Sequence, residues 1–144
     1  MNKPHPLTVE MRLPSVLGFE KVPMAAAAAM AGEMGFSPDR IDDLNTAVSE
    51  VCLNAIEHGN QLQAGVQVLI TLTCQPSGLQ VEVADQGTGV PKKPRAPRIE
   101  DKLAGKTRSR GWGLFLIEQL VDEVAFEKRP EGGHVTRLLI HLDP

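Results

Sequence analysis

The stretch SEVCLNAIEHGN, Ser49 to Asn60, decides which fold this sequence favours. It has the pattern of the end of a helix that is otherwise rich in Val, Leu, Ile and Ala, yet Glu50, Asn54 and His58 recur in it at steps of four. Because an α-helix turns about 100° per residue, this spacing puts a carboxylate, an amide and an imidazole on one stripe. The polar stripe predicts either a narrow solvated face or a site for chemistry.

The helix that carries this stripe has clear start and stop signals. Ser37 is the predicted N-cap and Pro38 the first helical residue, and Gly59 is predicted to end the helix. Apolar residues that recur at intervals of three and four predict the buried face: Ile41, Leu44, Val48, Val51 and Ala55.

The flanking sequence predicts a small α+β domain over residues 1–144. Alternating apolar residues predict strands and a hairpin, and longer apolar stretches predict two further helices, the last with Ile117, Val121 and Val124 on one face. The predicted order is β-α-α-β-β-loop-α-β-β. It favours an α/β sandwich, in which a mixed, mainly antiparallel sheet carries its helices on one face.

Composition limits the class of protein. The 144 residues suit one core, and aromatic residues make up only 3%, so the core must be aliphatic. No apolar run approaches the roughly 20 residues of a membrane span, and the alanine-rich run after Pro23 has the flanks of a helix and not of a signal peptide. We therefore expect a cytoplasmic protein without membrane contact, in which Cys52 and Cys74 are free thiols.

A basic segment interrupts an otherwise acidic chain. Residues 91–110 hold eight Lys or Arg residues against two acidic ones, although the whole chain has a net charge of −3. Such a segment suits an anionic ligand, a solvated linker or a nucleic-acid-binding arm. The acidic body and the lack of an aromatic platform argue against nucleic acid.

Two glycine-containing segments could form a ligand site. Asp85 continues the core-facing register of its strand, and Gly87 and Gly89 follow in DQGTGV. A carboxylate there could accept a hydrogen bond from an exocyclic amine such as the adenine N6, or could form an ordinary Asx turn. In RSRGWGLFLI, Gly111 and Gly113 precede a helix, where free N–H groups suit phosphate oxygens, although a plain loop would have the same pattern.

A nucleotide at these segments would give the polar stripe a role. Arg108 and Arg110 stand beside the second glycine pair, and a divalent cation normally accompanies phosphates. Asn54 could then supply an oxygen ligand to Mg²⁺, and Glu50 could accept a proton from an attacking hydroxyl. His58 is interpreted as supporting structure.

Together these segments resemble the GHKL superfamily, whose nucleotide-binding domain has the Bergerat fold. Three motifs match in order, on the elements predicted independently for them. They are E-x-x-x-N at Glu50 and Asn54, D-x-G-x-G at Asp85, Gly87 and Gly89, and G-x-G-[LF] at Gly111, Gly113 and Leu114.

Within that superfamily the chain is similar to the bacterial anti-sigma-factor serine kinases. The resemblance implies Mg²⁺ and ATP as cofactors, a serine on a STAS-domain anti-anti-sigma protein as the phosphoryl acceptor, and a sigma factor or similar regulator as second partner. It also implies a homodimer, an ATP lid at about 91–110 and a partner contact at Lys21. By motif, Glu50 would be the general base and Asn54 the Mg²⁺ ligand. Asp85 would contact the adenine N6, and Gly87 and Gly89 would shape its pocket. Gly111 and Gly113 would hold the phosphates with help from Arg108 and Arg110, and Leu114, the last residue of that motif, would also be cofactor-binding.

Two departures from the family pattern concern the nucleotide site. Leu53 stands where many relatives have Thr, and Gly133 replaces the Thr of a late G-T-x-V element, which predicts weaker nucleotide binding. A nucleotide-gated binding module without kinase activity is the alternative function. The intact Glu50 argues against it, because binding alone requires no base.

Overall fold

The structure, a computed structural model, describes residues 7–87 and 110–142, with side chains from residue 115 onward in the second range. A single sheet and three α-helices make up this part of the chain. In chain order the elements are β1 (Leu7–Pro14), α1 (Lys21–Met34), α2 (Pro38–Asn54), a π-turn (Ala55–Gly59), β2 (Gln67–Gln75), β3 (Gly78–Ala84), α3 (Arg110–Leu120), β4 (Glu123–Lys128) and β5 (His134–His141).

The sheet has the order β1-β2-β3-β5-β4, and every described neighbour pair is antiparallel. The residues of one sheet face are buried under the helices, whereas the other face carries polar side chains such as Gln80, Glu82 and Arg137. The predicted sandwich with helices on one face is therefore confirmed. The core residues of β2, β3 and β5 are Val68, Ile70, Leu72, Leu79, Val81, Val83, Leu138 and Ile140.

The helical layer is aliphatic and small-residue-rich, as the composition predicts. Ala27 and Ala31 of α1 are fully buried, which lets α1 pack closely on α2. Cys52 of α2 is also fully buried, and burial strongly raises the pKa of its thiol, with a further contribution from the charge of Glu20. No helix within the described ranges is long and apolar enough to cross a membrane.

The third helix starts earlier than predicted, at Arg110 and so before Gly111 and Gly113, and it also ends earlier. It ends at Leu120, and Val124 lies in β4 opposite Leu138 instead of on the helix. The backbone N–H of Asp122 donates to the carbonyl of Leu139 at 3.1 Å, so sheet pairing replaces helical hydrogen bonding at this point. The apolar periodicity extended across the boundary because both elements bury their apolar residues in the same core.

Helix α2 begins as predicted but ends differently. The Ser37 hydroxyl accepts a hydrogen bond from the Arg40 N–H at 3.3 Å, which confirms the N-cap. After Asn54 the chain forms a π-turn, in which the Asn60 N–H donates to the Ala55 carbonyl at 2.8 Å. The expectation of one α-helical stripe through His58 is therefore wrong beyond Asn54, although Gly59 is still the last helical residue.

An ion pair fixes the relative direction of α2 and α3. The Arg40 guanidinium, near the start of α2, lies 2.7 Å from an Asp122 carboxylate oxygen, just after the end of α3. Burial tends to raise the pKa of Asp122, but the His141 N–H and Arg40 outweigh it, so this pKa lies below 3.8. The two packed helices thus run antiparallel, and the 11-residue α3, about 16 Å long, starts near the level of Glu50.

Candidate functional site

Asp85 lies at the end of β3, in a position fixed by backbone hydrogen bonds. One carboxylate oxygen, Oδ1, accepts from the His134 N–H at 3.1 Å, and the Asp85 N–H donates to the His134 carbonyl at 2.9 Å. The side chain is only 5% exposed. The other oxygen, Oδ2, has no hydrogen bond to any of the described residues. Asp85 therefore offers one carboxylate oxygen for an external donor while β5 holds the other.

Three glycines allow the backbone to approach this carboxylate. A Cβ on Gly59 would lie 2.3 Å from the Asp85 Cγ, and a Cβ on Gly133 would lie 2.2 Å from the Asp85 carbonyl oxygen. Gly87 has a φ of +60°, and a Cβ there would lie 2.7 Å from the Gly133 Cα. Side chains are excluded at all three positions, so the π-turn, the segment after β3 and the turn before β5 converge on Asp85.

Asn60 joins three segments beneath the site. It is fully buried, and its Nδ2 donates to the Ser15 hydroxyl at 3.0 Å and to the Gln67 carbonyl at 3.2 Å. Its Oδ1 accepts from the Gln86 N–H at 2.8 Å. Gln86 follows Asp85 directly. The hydrogen bond from its N–H to Asn60 therefore holds the backbone next to Asp85, on the side that faces away from β5.

Arg129 completes the support of Asp85 from the turn between β4 and β5. Its guanidinium donates to the Asp85 carbonyl at 2.9 Å and pairs with Glu131 at 3.0 Å. The backbone N–H and the backbone carbonyl of Asp85 therefore both have hydrogen-bond partners. This arrangement holds the Asp85 carboxylate in one orientation, as a preformed binding site requires.

Glu50 and Asn54 lie on the last turn and a half of α2, next to the π-turn that contacts Asp85. Glu50 is only 2% exposed, whereas Asn54 is half-buried. A carboxylate in such a place is costly in an aliphatic core, so it is unusual for a residue without a function. His58 is half-buried, and Lys21 is exposed at the first position of α1.

The structure tests the remaining predicted site residues only in part. Gly89 and Arg108 lie outside the described residues, as does the proposed lid except for its last residue. The backbone of Arg110, Gly111, Gly113 and Leu114 forms the first turn of α3, whose side chains are not described. The glycine pair was predicted to precede the helix, but α3 begins at Arg110 and both glycines lie in its first turn. Their level beside Glu50 and Asn54 follows from the antiparallel packing of α2 and α3.

Several residues of the site were not predicted as such from the sequence. Gly59 was interpreted only as a helix end, and Asn60, Arg129 and His134 carried no predicted role. A signal existed for Asn60, since a buried amide directly after a helix-ending glycine commonly bonds to nearby backbone. Arg129 and His134 are 44 and 49 residues from Asp85, and the β3–β5 pairing brings them together.

The donor set suits a magnesium–nucleotide complex. Asp85 Oδ2 is an acceptor without a partner among the described residues, which matches an exocyclic amine. The Asn54 amide would provide one oxygen ligand to Mg²⁺, which typically takes only one or two ligands from protein in addition to phosphate oxygens. Within the described ranges no cluster of three or more His, Cys, Asp or Glu residues could hold a metal by itself.

Comparison with known proteins identifies the family to which the chain belongs. The family model for the histidine kinase-like ATPase domain matches residues 20–138. The serine-protein kinase RsbW of Oceanobacillus iheyensis is 31% identical over 120 residues, covering 81% of this chain and 76% of the relative. The RsbW of Bacillus subtilis is 30% identical, covering 81% and 75%.

Solved structures share the fold at lower identity. A structure of the RsbU and RsbW domains of a Mycobacterium tuberculosis protein aligns with a TM-score of 0.63 at 23% identity, over 96% of this chain and 33% of that one. The histidine kinase domain of a blue-light-activated kinase from Erythrobacter litoralis aligns with a TM-score of 0.53 at 20% identity, over 90% of this chain and 61% of that one. With the matched motifs and the sequence relatives, these alignments confirm the predicted fold and family. The chain belongs to the histidine kinase-like ATPase family, in its branch of protein-serine kinases of the RsbW type.

Proposed function

We propose that this chain transfers the γ-phosphoryl group of Mg·ATP to a serine on a STAS-domain anti-anti-sigma protein, and that it also sequesters a sigma factor or an analogous regulator. Phosphorylation of the antagonist would free the kinase to hold the regulator, and loss of that phosphate would reverse the exchange. The proposal locates this partner switching in the cytoplasm, where ATP is available, and includes a homodimer.

The observation that supports the proposal most strongly is the fixed Asp85 carboxylate. Oδ1 is held by β5, Oδ2 has no hydrogen-bond partner among the described residues, and Gly59 packs against the same side chain. Gly59 follows Glu50 and Asn54 after only nine and five residues. A nucleotide whose base contacts Asp85 would therefore extend toward the two polar residues of α2.

Phosphoryl transfer requires a positioned hydroxyl, charge neutralisation and a metal site. Glu50 would accept the proton of the attacking serine hydroxyl, and Asn54 would hold Mg²⁺. The N–H groups at the start of α3, with Gly111 and Gly113, would bind phosphate oxygens. Bound Mg²⁺ would neutralise developing charge on the phosphates, and burial of Glu50 would exclude water from the base.

Further roles come from the resemblance and from the sequence. Arg108 and Arg110 would neutralise phosphate charge, and the basic segment 91–110 would close over the nucleotide as a lid. Gly89 would line the adenine pocket beside Gly87. Lys21 would contact the protein partner, since it is exposed at the start of α1.

The test uses the full chain, γ-labelled ATP, Mg²⁺ and a STAS-domain substrate. Glu50→Gln should abolish label transfer to serine while nucleotide binding by calorimetry remains, because the amide cannot accept the proton. Asn54→Ala should lose Mg²⁺-dependent binding. Glu57→Gln is the matched control, since it removes a half-buried carboxylate from the adjacent π-turn and should leave transfer unchanged.

Two outcomes would contradict the proposal. Full serine phosphorylation by the Glu50→Gln variant would refute the base assignment. Tight Mg·ATP binding by the wild-type chain, with a nucleotide-dependent partner complex and no phosphoserine, would instead establish a nucleotide-gated binding module.

A further inference from the structure

The imidazole side chain of His134 lies against the Asp85 carboxylate. Its Nδ1 is 3.7 Å from Asp85 Oδ1, the oxygen that the His134 backbone N–H already contacts at 3.1 Å. Nδ1 is buried and has no hydrogen-bond partner in the part of the chain that the structure describes. The side chain as a whole is 30% exposed, so the ring reaches from the buried strand toward solvent.

In this geometry the buried Nδ1 atom of His134 makes no hydrogen bond to the described residues. A buried ring nitrogen without a hydrogen bond lowers stability, and 3.7 Å is too long for a bond to the carboxylate itself. At this separation a third polar group can contact both His134 Nδ1 and Asp85 Oδ1. A ligand edge between His134 Nδ1 and the Asp85 carboxylate would satisfy the nitrogen.

We infer that His134 is a second base-contacting residue, which with Asp85 selects a 6-aminopurine over a 6-oxopurine nucleotide. The inference rests on the proposed function and adds its base specificity. The Asp85 carboxylate only accepts hydrogen bonds, and a neutral imidazole protonated at Nδ1 donates one. An adenine edge carries an amine donor beside a ring-nitrogen acceptor and is complementary to this pair. A guanine edge has an oxygen acceptor beside a ring N–H donor, which is the reverse order.

The side chain of His134 can be changed without dismantling Asp85. Both hydrogen bonds between the two residues that support the strand end use the His134 backbone N–H and carbonyl. The neighbouring Arg129 contact also goes to the Asp85 backbone. Loss of the imidazole should therefore change ligand affinity and base preference and leave the stability of the free protein unchanged.

The test is calorimetric titration of the full chain with Mg·ADP and Mg·GDP. His134→Ala should bind ADP about tenfold more weakly, the value of one hydrogen bond, while the weak GDP affinity stays the same. His134→Asn should retain most of the ADP affinity, because its amide can place a donor at the Nδ1 position. His134→Gln should behave like His134→Ala, since its amide reaches the Nε2 position instead.

A histidine on the same strand serves as the matched control. His141 lies at the other end of β5 and pairs with Glu123, so His141→Ala should leave both affinities unchanged. Equal ADP affinity and an equal ADP-to-GDP ratio in wild type and His134→Ala would overturn the inference alone. A large drop in the melting temperature of free His134→Ala would also overturn it, by showing a structural role. Absence of any nucleotide binding by the wild-type chain would instead defeat the proposed function on which it rests.

Discussion

Replacing Gly59 by Ala would displace the Asp85 carboxylate without removing any polar group. The added Cβ would lie 2.3 Å from the Asp85 Cγ and 2.5 Å from Oδ2. Non-bonded carbon atoms sit comfortably at about 3.5 to 4.0 Å, so the two residues must separate by more than about 1 Å. Asp85 cannot withdraw far, because Gly133 packs against its backbone and its Oδ1 is bonded to the His134 N–H at 3.1 Å.

The magnitude follows from these two contacts. A shift of 1 Å would break the hydrogen bond to the His134 N–H, which costs about 1.5 to 3 kcal/mol for a charged acceptor. Partial relaxation of the π-turn would relieve some of the overlap, and overpacking typically costs about 1 to 3 kcal/mol. We expect Gly59→Ala to lower the free energy of unfolding by about 2 to 4 kcal/mol. The displaced carboxylate should weaken ATP binding by about a hundredfold or more.

Urea denaturation and calorimetric titration with Mg·ATP measure the two effects. Gly32→Ala is the matched control, because a Cβ at this exposed position of α1 meets nothing within 4 Å. It should stabilise the protein by about 0.5 to 1 kcal/mol through helix propensity and leave ATP affinity unchanged. If Gly59→Ala matches wild type in both stability and affinity, the Asp85 site is not packed as described and the reasoning fails.

Three further predictions concern other parts of the structure. Asn60→Ala should lower the free energy of unfolding by about 2 to 4 kcal/mol, because it removes three buried hydrogen bonds; an unchanged urea midpoint would contradict this. The pKa of Asp122 is lowered by folding, so its contribution to stability is present above about pH 4 and is lost as the pH falls through the folded value. Asp122→Asn should therefore be less stable than wild type at pH 7, by under about 1 kcal/mol for this partly exposed pair, and the difference should shrink as the pH falls through the folded-state pKa of Asp122. In the native protein, iodoacetamide should modify the half-buried Cys74 and not Cys52, whose pKa burial raises; rapid Cys52 labelling without unfolding would refute this.

Most of the fold could be predicted from the sequence because each element carries its own periodic signal. The hairpin of β2 and β3 is read from alternating residues such as Val81 and Val83, and the start of α2 from Ser37 and Pro38. The end of α3 could not be placed, because Val121 and Val124 continue an apolar spacing across a change from helix to strand. The π-turn has no periodic signature either, since it depends on local i→i+5 hydrogen bonding, such as Asn60 N–H to the Ala55 carbonyl, and on its packing against Asp85.

The residues of the candidate site also divide into those that local sequence patterns predict and those that they do not. Asp85 was predicted from strand register, and Glu50 and Asn54 from their spacing on a helix, which are local properties of the chain. The residues that hold Asp85 in place, Arg129 and His134, depend on which strand pairs with β3, and no local pattern encodes that pairing. Residues that contact the ligand were therefore easier to predict than the residues that support them.

We expect a nucleotide with its magnesium to bind beside Asp85 and α2, and titration calorimetry measures this binding. ATP is titrated into the wild-type chain and into Asp85→Asn, with Mg²⁺ and then with a chelator. We expect one Mg²⁺-dependent site per chain in the wild type and at least a hundredfold loss in the variant, because Asn has only one acceptor oxygen, whereas the His134 N–H and the base amine require two. No uptake of ATP by the wild type, or equal affinity in the Asp85→Asn variant, would contradict this expectation.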